Sequence, residues 1–527
     1  MIPSLFNGTV SASACSAATF SSFSIPDASI ISVEAQLALN VTQNISIGAY
    51  SNNPGVNVVG ANFCNVTTTY THTGDDDSVQ VQVWLPLDTW NGRLQFIGGA
   101  GWQAGLHPAG LMAMTAAIGQ GFVAVSTDAG LGSDFTPENW ALREEGVVNM
   151  RLLKNFGSDS LIEATDMAKA YTNAFYGEPA HFSYWNGCSQ GGRQGLMMAQ
   201  KYPDAFDGIA AAAPAINWIS WAQQMEYSAF LMDQLNEFPP TCEFDALTAA
   251  AIETCDSADG LADGIITDAT CKFDPMSMVG TAINCTGVER EVSQAAAIVM
   301  GGVWGGAKRG DNSSMGFGPS MDAILTGTIT DLANINTTCS KDSTCGAETC
   351  TRGPVPLADD WFRLFLLKNS TASVSGFTQA EYDNFEIQAR AEYEDIIDTS
   401  NPDLSGFRAA GGKMITYHGM ADSVIPAKGT ENYYQRVTAL DPSVREYYRL
   451  FMAPGLHHCF GGPGMFPNST FATLMRWVEE GEAPDVLLAT SVLGLGATTI
   501  EERPLCPYPQ VQKASVGADG QAVFTCE

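Results

Sequence analysis

Short runs of β-branched and aromatic residues alternate along this chain with stretches of helical periodicity, a rhythm that predicts an open, mainly parallel sheet. Residues 93–97, 122–127, 181–186, 208–213, 413–418 and 448–452 read as buried strands. Several of them end beside Gly, Asp, His or Cys. In open α/β sheets reactive groups gather at the carboxyl ends of the strands, so those ends are where chemistry is expected. From about Ile216 to Pro402 the rhythm gives way to helices, Gly-rich turns and clustered cysteines. That stretch reads as an inserted lid domain, 216–402, dividing a catalytic domain made of 1–215 and 403–527. There is no internal repeat and no low-complexity segment, and 340–353 reads as a long surface loop held by cysteines.

Composition narrows the classes. A chain of 527 residues, 45% hydrophobic, can bury one large core and carry a second, smaller unit. Its net charge of -32 repels nucleic acid and anionic membranes, so neither is an expected partner. No apolar run approaches the roughly 20 residues needed to span a bilayer. The segment from Met1 to Val10 lacks the basic flank and apolar core of a signal peptide, so the chain reads as mature or truncated at its start. Thirteen cysteines point to an oxidising compartment. Asn-x-Ser/Thr acceptors at Asn7, Asn40, Asn44, Asn65, Asn284, Asn312, Asn336, Asn369 and Asn468 agree, and a secreted, extracellular glycoprotein is expected.

The sharpest motif is Gly187-Cys188-Ser189-Gln190-Gly191, followed by Gly192. It stands directly after a strand and before a helical run containing Leu196, Met197 and Met198. A G-x-S-x-G pentapeptide in that context puts serine on a strained strand-to-helix turn, the nucleophile position of the α/β-hydrolase fold. The N–H of Gln190, at the helix start, is then one oxyanion donor. A serine nucleophile needs a base, and the chain has six histidines: His72, His107, His181, His418, His457 and His458. The α/β-hydrolase order of Ser, then Asp or Glu, then His excludes the first three. Asp422 follows the strand at 413–418 as the orienting acid, and the loop after the strand at 448–452 carries His457-His458-Cys459. Either histidine satisfies the order. His418 reads as a buried structural histidine that hydrogen-bonds near Asp422. The Gly-rich run Gly98-Gly99-Ala100-Gly101 after an early strand suits the second oxyanion donor.

Taken together these residues resemble the tannase and feruloyl esterase family, which also includes mono(2-hydroxyethyl) terephthalate hydrolase. The resemblance runs from Cys15 to Cys526. It rests on Gly187-Cys188-Ser189-Gln190-Gly191-Gly192-Arg193, His418-Gly419-Met420-Ala421-Asp422, Pro454-Gly455-Leu456-His457-His458-Cys459 and Arg503-Pro504-Leu505-Cys506-Pro507-Tyr508-Pro509. It implies His458 as the base, because the family's histidine directly precedes a cysteine, and Gly101 as the second oxyanion donor. It also implies a disulfide between Cys188 and Cys459 and terminal bridges Cys15–Cys64 and Cys506–Cys526. Leu131 is a departure, standing where relatives often have histidine.

The resemblance further implies a structural calcium site in the lid. Its ligands would be the side chains of Asp256, Asp259 and Asp263 and the carbonyls of Leu261 and Ile265, closely spaced oxygens of the kind a hard cation takes. Cys255 and Cys271 flank this loop and are expected to pair, with Cys242–Cys285 bracketing the unit. One further pair is expected among Cys339, Cys345 and Cys350, leaving one thiol over. The expected function is a secreted serine carboxylic ester hydrolase acting on small or polysaccharide-linked aromatic esters. Feruloyl esterase stands first and tannase second, and a catalytically inactive binding protein of the same fold is the competing class.

Overall fold

The computed structural model describes the chain apart from residues 1–3, 7, 9, 268–269, 328–331, 342–347, 494–498 and 517–521. Its central element is a nine-stranded sheet. The strands are β1 (Ala28–Ile45), β2 (Val56–His72), β3 (Val79–Pro86), β4 (Arg93–Ile97), β5 (Val123–Thr127), β6 (Phe182–Cys188), β7 (Gly208–Ala212), β8 (Lys413–Gly419) and β9 (Tyr448–Ala453). Their spatial order is β1-β2-β3-β5-β4-β6-β7-β8-β9. The pairings β1–β2, β2–β3 and β3–β5 are antiparallel, and every later pairing is parallel. Strands β4, β5 and β7 are buried along their whole length, as parallel strands covered on both faces must be.

The parallel half coincides with the runs that the sequence marks as buried. The antiparallel edge does not. In β2 the inward residues Val66, Thr68, Tyr70 and His72 alternate with half-exposed threonines, so no continuous apolar run announces the strand. The segment expected as a loop at 340–353 takes part in a hairpin, Thr337–Lys341 against Glu348–Arg352, with Cys339 opposite Cys350.

Helix α1 (Pro108–Gly119) follows β4, α2 (Asp159–Tyr176) precedes β6, and α3 (Gln190–Lys201) connects β6 to β7. The insert between β7 and β8 is mainly helical, with α4 (Trp218–Leu235), α5 (Thr241–Cys255), α6 (Gln294–Gly305) and α7 (Gln379–Ile397), the last opened by a Thr378/Glu381 capping box. The insert shares its core with the part of the chain that forms the nine-stranded sheet. Trp102 stacks at 5.2 Å on Phe365 and meets Trp218 edge-on at 5.0 Å, within a cluster that also holds Trp140, Phe156 and Trp361. Helix α8 (Ala427–Leu440) then separates β8 from β9.

Disulfides join Cys15–Cys64, Cys188–Cys459, Cys242–Cys285, Cys255–Cys271, Cys339–Cys350 and Cys506–Cys526. Of the three cysteines whose pairing the sequence leaves open, Cys339 and Cys350 are joined and Cys345 lies outside the described residues, as does Asn7. No described helix is long and apolar enough to cross a membrane.

Candidate active site

Ser189 stands between the last residue of β6 and the first of α3, with φ 63° and ψ -123°. That backbone conformation is costly for a residue with a Cβ, and the surrounding contacts hold it. The Ser189 N–H donates to Ala212 O at 3.1 Å, and Ser189 O accepts from the N–H groups of Arg193 and Ala215 at 2.9 and 3.1 Å. Glycine at 187 and 192 lets the turn close, since a Cβ at Gly187 would lie 2.5 Å from Gly191 carbonyl atoms and one at Gly192 would lie 2.3 Å from Ala212 O. The helix therefore starts immediately above the sheet.

Asp422 lies in the loop after β8 and is fully buried. Its Oδ1 accepts the N–H groups of Val424 and Ile425 at 2.8 and 2.9 Å. Its Oδ2 meets His458 Nδ1 at 2.8 Å and His418 Nε2 at 3.2 Å. Burial by itself would raise this carboxyl, but the charge of His458 and the hydrogen bonds from His418 and His458 outweigh it and hold Asp422 well below the usual carboxylate range. His418 Nδ1 pairs with Thr430 Oγ1 of α8 at 2.8 Å, which fixes the ring against Asp422. His457 points elsewhere: it makes no hydrogen bond to Asp422 among the described residues, and burial lowers its pKa.

The disulfide Cys188–Cys459 links the residue before Ser189 to the residue after His458, with a Cα–Cα separation of 5.9 Å. Tyr417 Oη also donates to Cys459 O at 2.9 Å. Ser189 and His458 line one cavity of about 240 Å³ together with the loop Gly98-Gly99-Ala100-Gly101. No hydrogen bond joins Ser189 to His458 among the described residues.

The loop after β4 is docked on the serine turn. Gly191 N–H donates to Gly99 O at 2.9 Å, and Gly99 N–H donates to Gln194 Oε1 at 2.8 Å. Gln194 Nε2 in turn reaches Ala104 O at 3.0 Å, so one buried amide braces both ends of the loop carrying Gly101. Gly101 itself has φ 55° and faces the Phe135 ring. Gln190 contributes its backbone at the first helical position, where N–H groups lack intrahelical partners, while its side-chain Oε1 accepts from Arg193 Nε at 2.7 Å.

Gln194 and Arg193 are the residues that sequence reasoning gave no role. Arg193 is completely buried. It donates to Thr399 Oγ1 and to the carbonyls of Phe156 and Gly157, each at 3.1 Å, and burial pulls its pKa down to about 9. The guanidinium thus ties α3 to the C-terminal end of the helix Met150–Gly157 and to the turn that follows α7. Its place directly after the serine motif was the available signal.

In the lid loop the carboxylates are engaged locally. Asp256 Oδ1 accepts the N–H groups of Asp263 and Gly264 at 3.0 Å and of Ile265 at 3.3 Å. Asp259 Oδ1 accepts from Leu261 N–H at 2.9 Å, and Asp263 Oδ2 pairs with Arg503 at 3.1 Å. These residues have the hard-oxygen chemistry that calcium takes. Among the described residues the side chains of His, Cys, Asp and Glu form no group of three or more that could hold a metal ion by themselves, and the expected ligand set also draws on the carbonyls of Leu261 and Ile265.

The model of the family described as tannase and feruloyl esterase matches residues 64–523. A probable feruloyl esterase of Arthroderma benhamiae is 36% identical over 512 residues, covering 95% of this chain and 91% of that protein. Mono(2-hydroxyethyl) terephthalate hydrolase of Piscinibacter sakaiensis is 30% identical over 505 residues, covering 85% of this chain and 81% of that one. Among solved structures, tannin acyl hydrolase from Aspergillus niger superposes with a TM-score of 0.86 at 26% identity, covering 99% of this chain and 96% of that chain.

Proposed function

The chain belongs to the tannase and feruloyl esterase family and is a carboxylic ester hydrolase; from that premise we propose that it cleaves esters of phenolic acids, feruloyl esters first, with Ser189 as nucleophile, His458 as base and Asp422 as the acid that orients it. The observation that carries this reading is the 2.8 Å contact between His458 Nδ1 and Asp422 Oδ2, beside the strained Ser189 in one cavity.

In the proposed first half, Ser189 Oγ attacks the ester carbon while His458 Nε2 takes its proton. The carbonyl π electrons move onto oxygen, where the N–H groups of Gln190 and Gly101 receive the charge. Collapse of the tetrahedral species breaks the bond to the alkoxy oxygen, and His458 returns the proton to the departing alcohol. Water then attacks the acyl-serine with His458 again as base, releasing the acid and restoring Ser189. Asp422 remains an anion throughout and stabilises the imidazolium.

The ranking of feruloyl ahead of galloyl esters rests on the 36% identity to the Arthroderma protein; the tannase reading is supported by the Aspergillus niger structure. Secretion is supported by the six disulfides. Calcium at 256–265 belongs to the same proposal as a structural ion, with no chemical step passing through it. The test is kcat/KM on methyl ferulate, methyl gallate and a simple alkyl ester, with Ser189→Ala as control. Methyl ferulate should be fastest, and the control should lose activity on the roughly 10⁶-fold scale of a deleted triad serine while staying folded. Faster cleavage of methyl gallate would favour the tannase reading. Turnover of the alkyl ester alone would remove the aromatic assignment.

A further inference from the structure

Helix α1 opens on a histidine that the mechanism above leaves unused. The His107 N–H donates to Gly105 O and its carbonyl accepts from Leu111 N–H, both at 2.9 Å, so its position is fixed from both sides. Its side chain does not cap the helix, and only 7% of the residue is exposed. It lines the cavity that holds Ser189 and His458.

Other buried histidines are fully engaged. His72 lies between Asp77 and Glu163, and His418 meets Thr430, Asp422 and Ile425 O. Among the described residues the His107 imidazole has no hydrogen-bond partner. Its ring nitrogens are not among the fully buried unpaired atoms and so keep access to the cavity they line, and a site that offers such a free donor and acceptor favours the ligand that pairs it over an analogue that cannot. Burial lowers the His107 pKa, which keeps the ring neutral with one N–H donor and one acceptor nitrogen. Such a ring suits a hydroxyl and has no charge to offer a carboxylate.

The remaining wall is mostly apolar: Ile97, Ala109, Ala113, Phe135, Leu332 and Leu357. Of the other polar side chains there, Asn186 already accepts from Asn52 at 2.7 Å, and Ser51 is the remaining one outside the catalytic pair. A flat ring with one polar edge fits such a lining better than a polyhydroxy alcohol does. We propose that His107 is a substrate-binding residue that hydrogen-bonds a ring hydroxyl of the aromatic acyl group while Ser189 attacks its ester carbon. This rests on the phenolic-ester reading of the site.

The test compares methyl ferulate, methyl 3,4-dimethoxycinnamate, in which the hydroxyl is capped, and methyl cinnamate, which has none, on the wild type, His107→Leu and His107→Gln. The wild type should prefer ferulate over the capped ester by about tenfold in kcat/KM, the size expected for the loss of one hydrogen bond. In His107→Leu the ferulate-to-cinnamate ratio should fall by about tenfold, and His107→Gln should recover part of it. Equal losses on all three esters would assign His107 a structural role and overturn the proposal. A sugar ester of ferulate forms a fourth arm: a loss that follows the sugar and ignores the ring hydroxyl would also overturn it. Should His107→Leu not fold, the wild-type ratio decides, and no preference for the free hydroxyl refutes the assignment. Failure of the phenolic-ester reading looks different, with no aromatic methyl ester cleaved by the wild type while an alkyl ester is.

Discussion

His418 and His458 reach the same oxygen of Asp422, at 3.2 and 2.8 Å, from two different segments of the chain. His418 is anchored by Thr430 on α8 and comes from the strand that precedes Asp422, whereas His458 comes from the loop after β9. With two backbone N–H groups on the other oxygen, the carboxylate is held as a buried anion and has little freedom to rotate.

Replacing Asp422 with Asn should lower kcat by about 10⁴-fold, the scale seen when the orienting acid of a triad is neutralised. It also has a pH signature. The folded-state pKa of Asp422 is depressed, so its contribution to stability is fully present above the unfolded value of about 3.9 and is lost as pH falls toward the folded one. The melting-temperature gap between wild type and Asp422→Asn should be constant above about pH 5 and shrink below about pH 4. A gap that widened on acidification would contradict this.

The Cys188–Cys459 bridge closes a sequence separation of 271 residues and confines the neighbours of Ser189 and His458, the proposed nucleophile and base. Changing both cysteines to alanine should cost about 2–4 kcal/mol of stability. Turnover should fall much further than KM rises, because small misplacements of a reacting pair are expensive. A folded double variant with near-normal kcat would show that the bridge does not position the pair.

Gln194 spans the loop that carries Gly101, accepting from Gly99 N–H and donating to Ala104 O. Gln194→Ala leaves the buried Gly99 N–H without its partner, a loss of about 1–3 kcal/mol in unfolding experiments. Its kinetic effect should be on kcat with KM little changed, since the loop is proposed to act on the developing oxyanion. A change in KM alone would place Gln194 outside that role.

Adding calcium to chelator-treated protein should raise the melting temperature, because a ligand that binds only the folded state stabilises it by mass action. Asp256→Asn and Asp259→Asn should each weaken that response. If the melting temperature and metal content are the same with chelator and with calcium, the loop is a carboxylate turn held by Arg503 and backbone N–H groups.

What the sequence determined by itself was chemistry confined to short stretches of chain. The strand before Ser189, the glycines around it and the helix after it are neighbours in sequence, and local backbone sterics already demand a tight turn there. The order Ser189, Asp422, His458 and the fully buried parallel strands were legible for the same reason, since each depends on chain order or on an unbroken apolar run. Strands β1 and β2 were not, because half-exposed strands rich in Thr and Asn become strands through the partner they pair with. His457 and His458 were equivalent by residue order, and family resemblance favoured the second. Tertiary structure turned one ring toward Asp422 and left the other against Gly462. The brace from Gln194 to Gly99 and the unpaired imidazole of His107 in the cavity were likewise decided only by packing, which joins atoms that no local pattern relates.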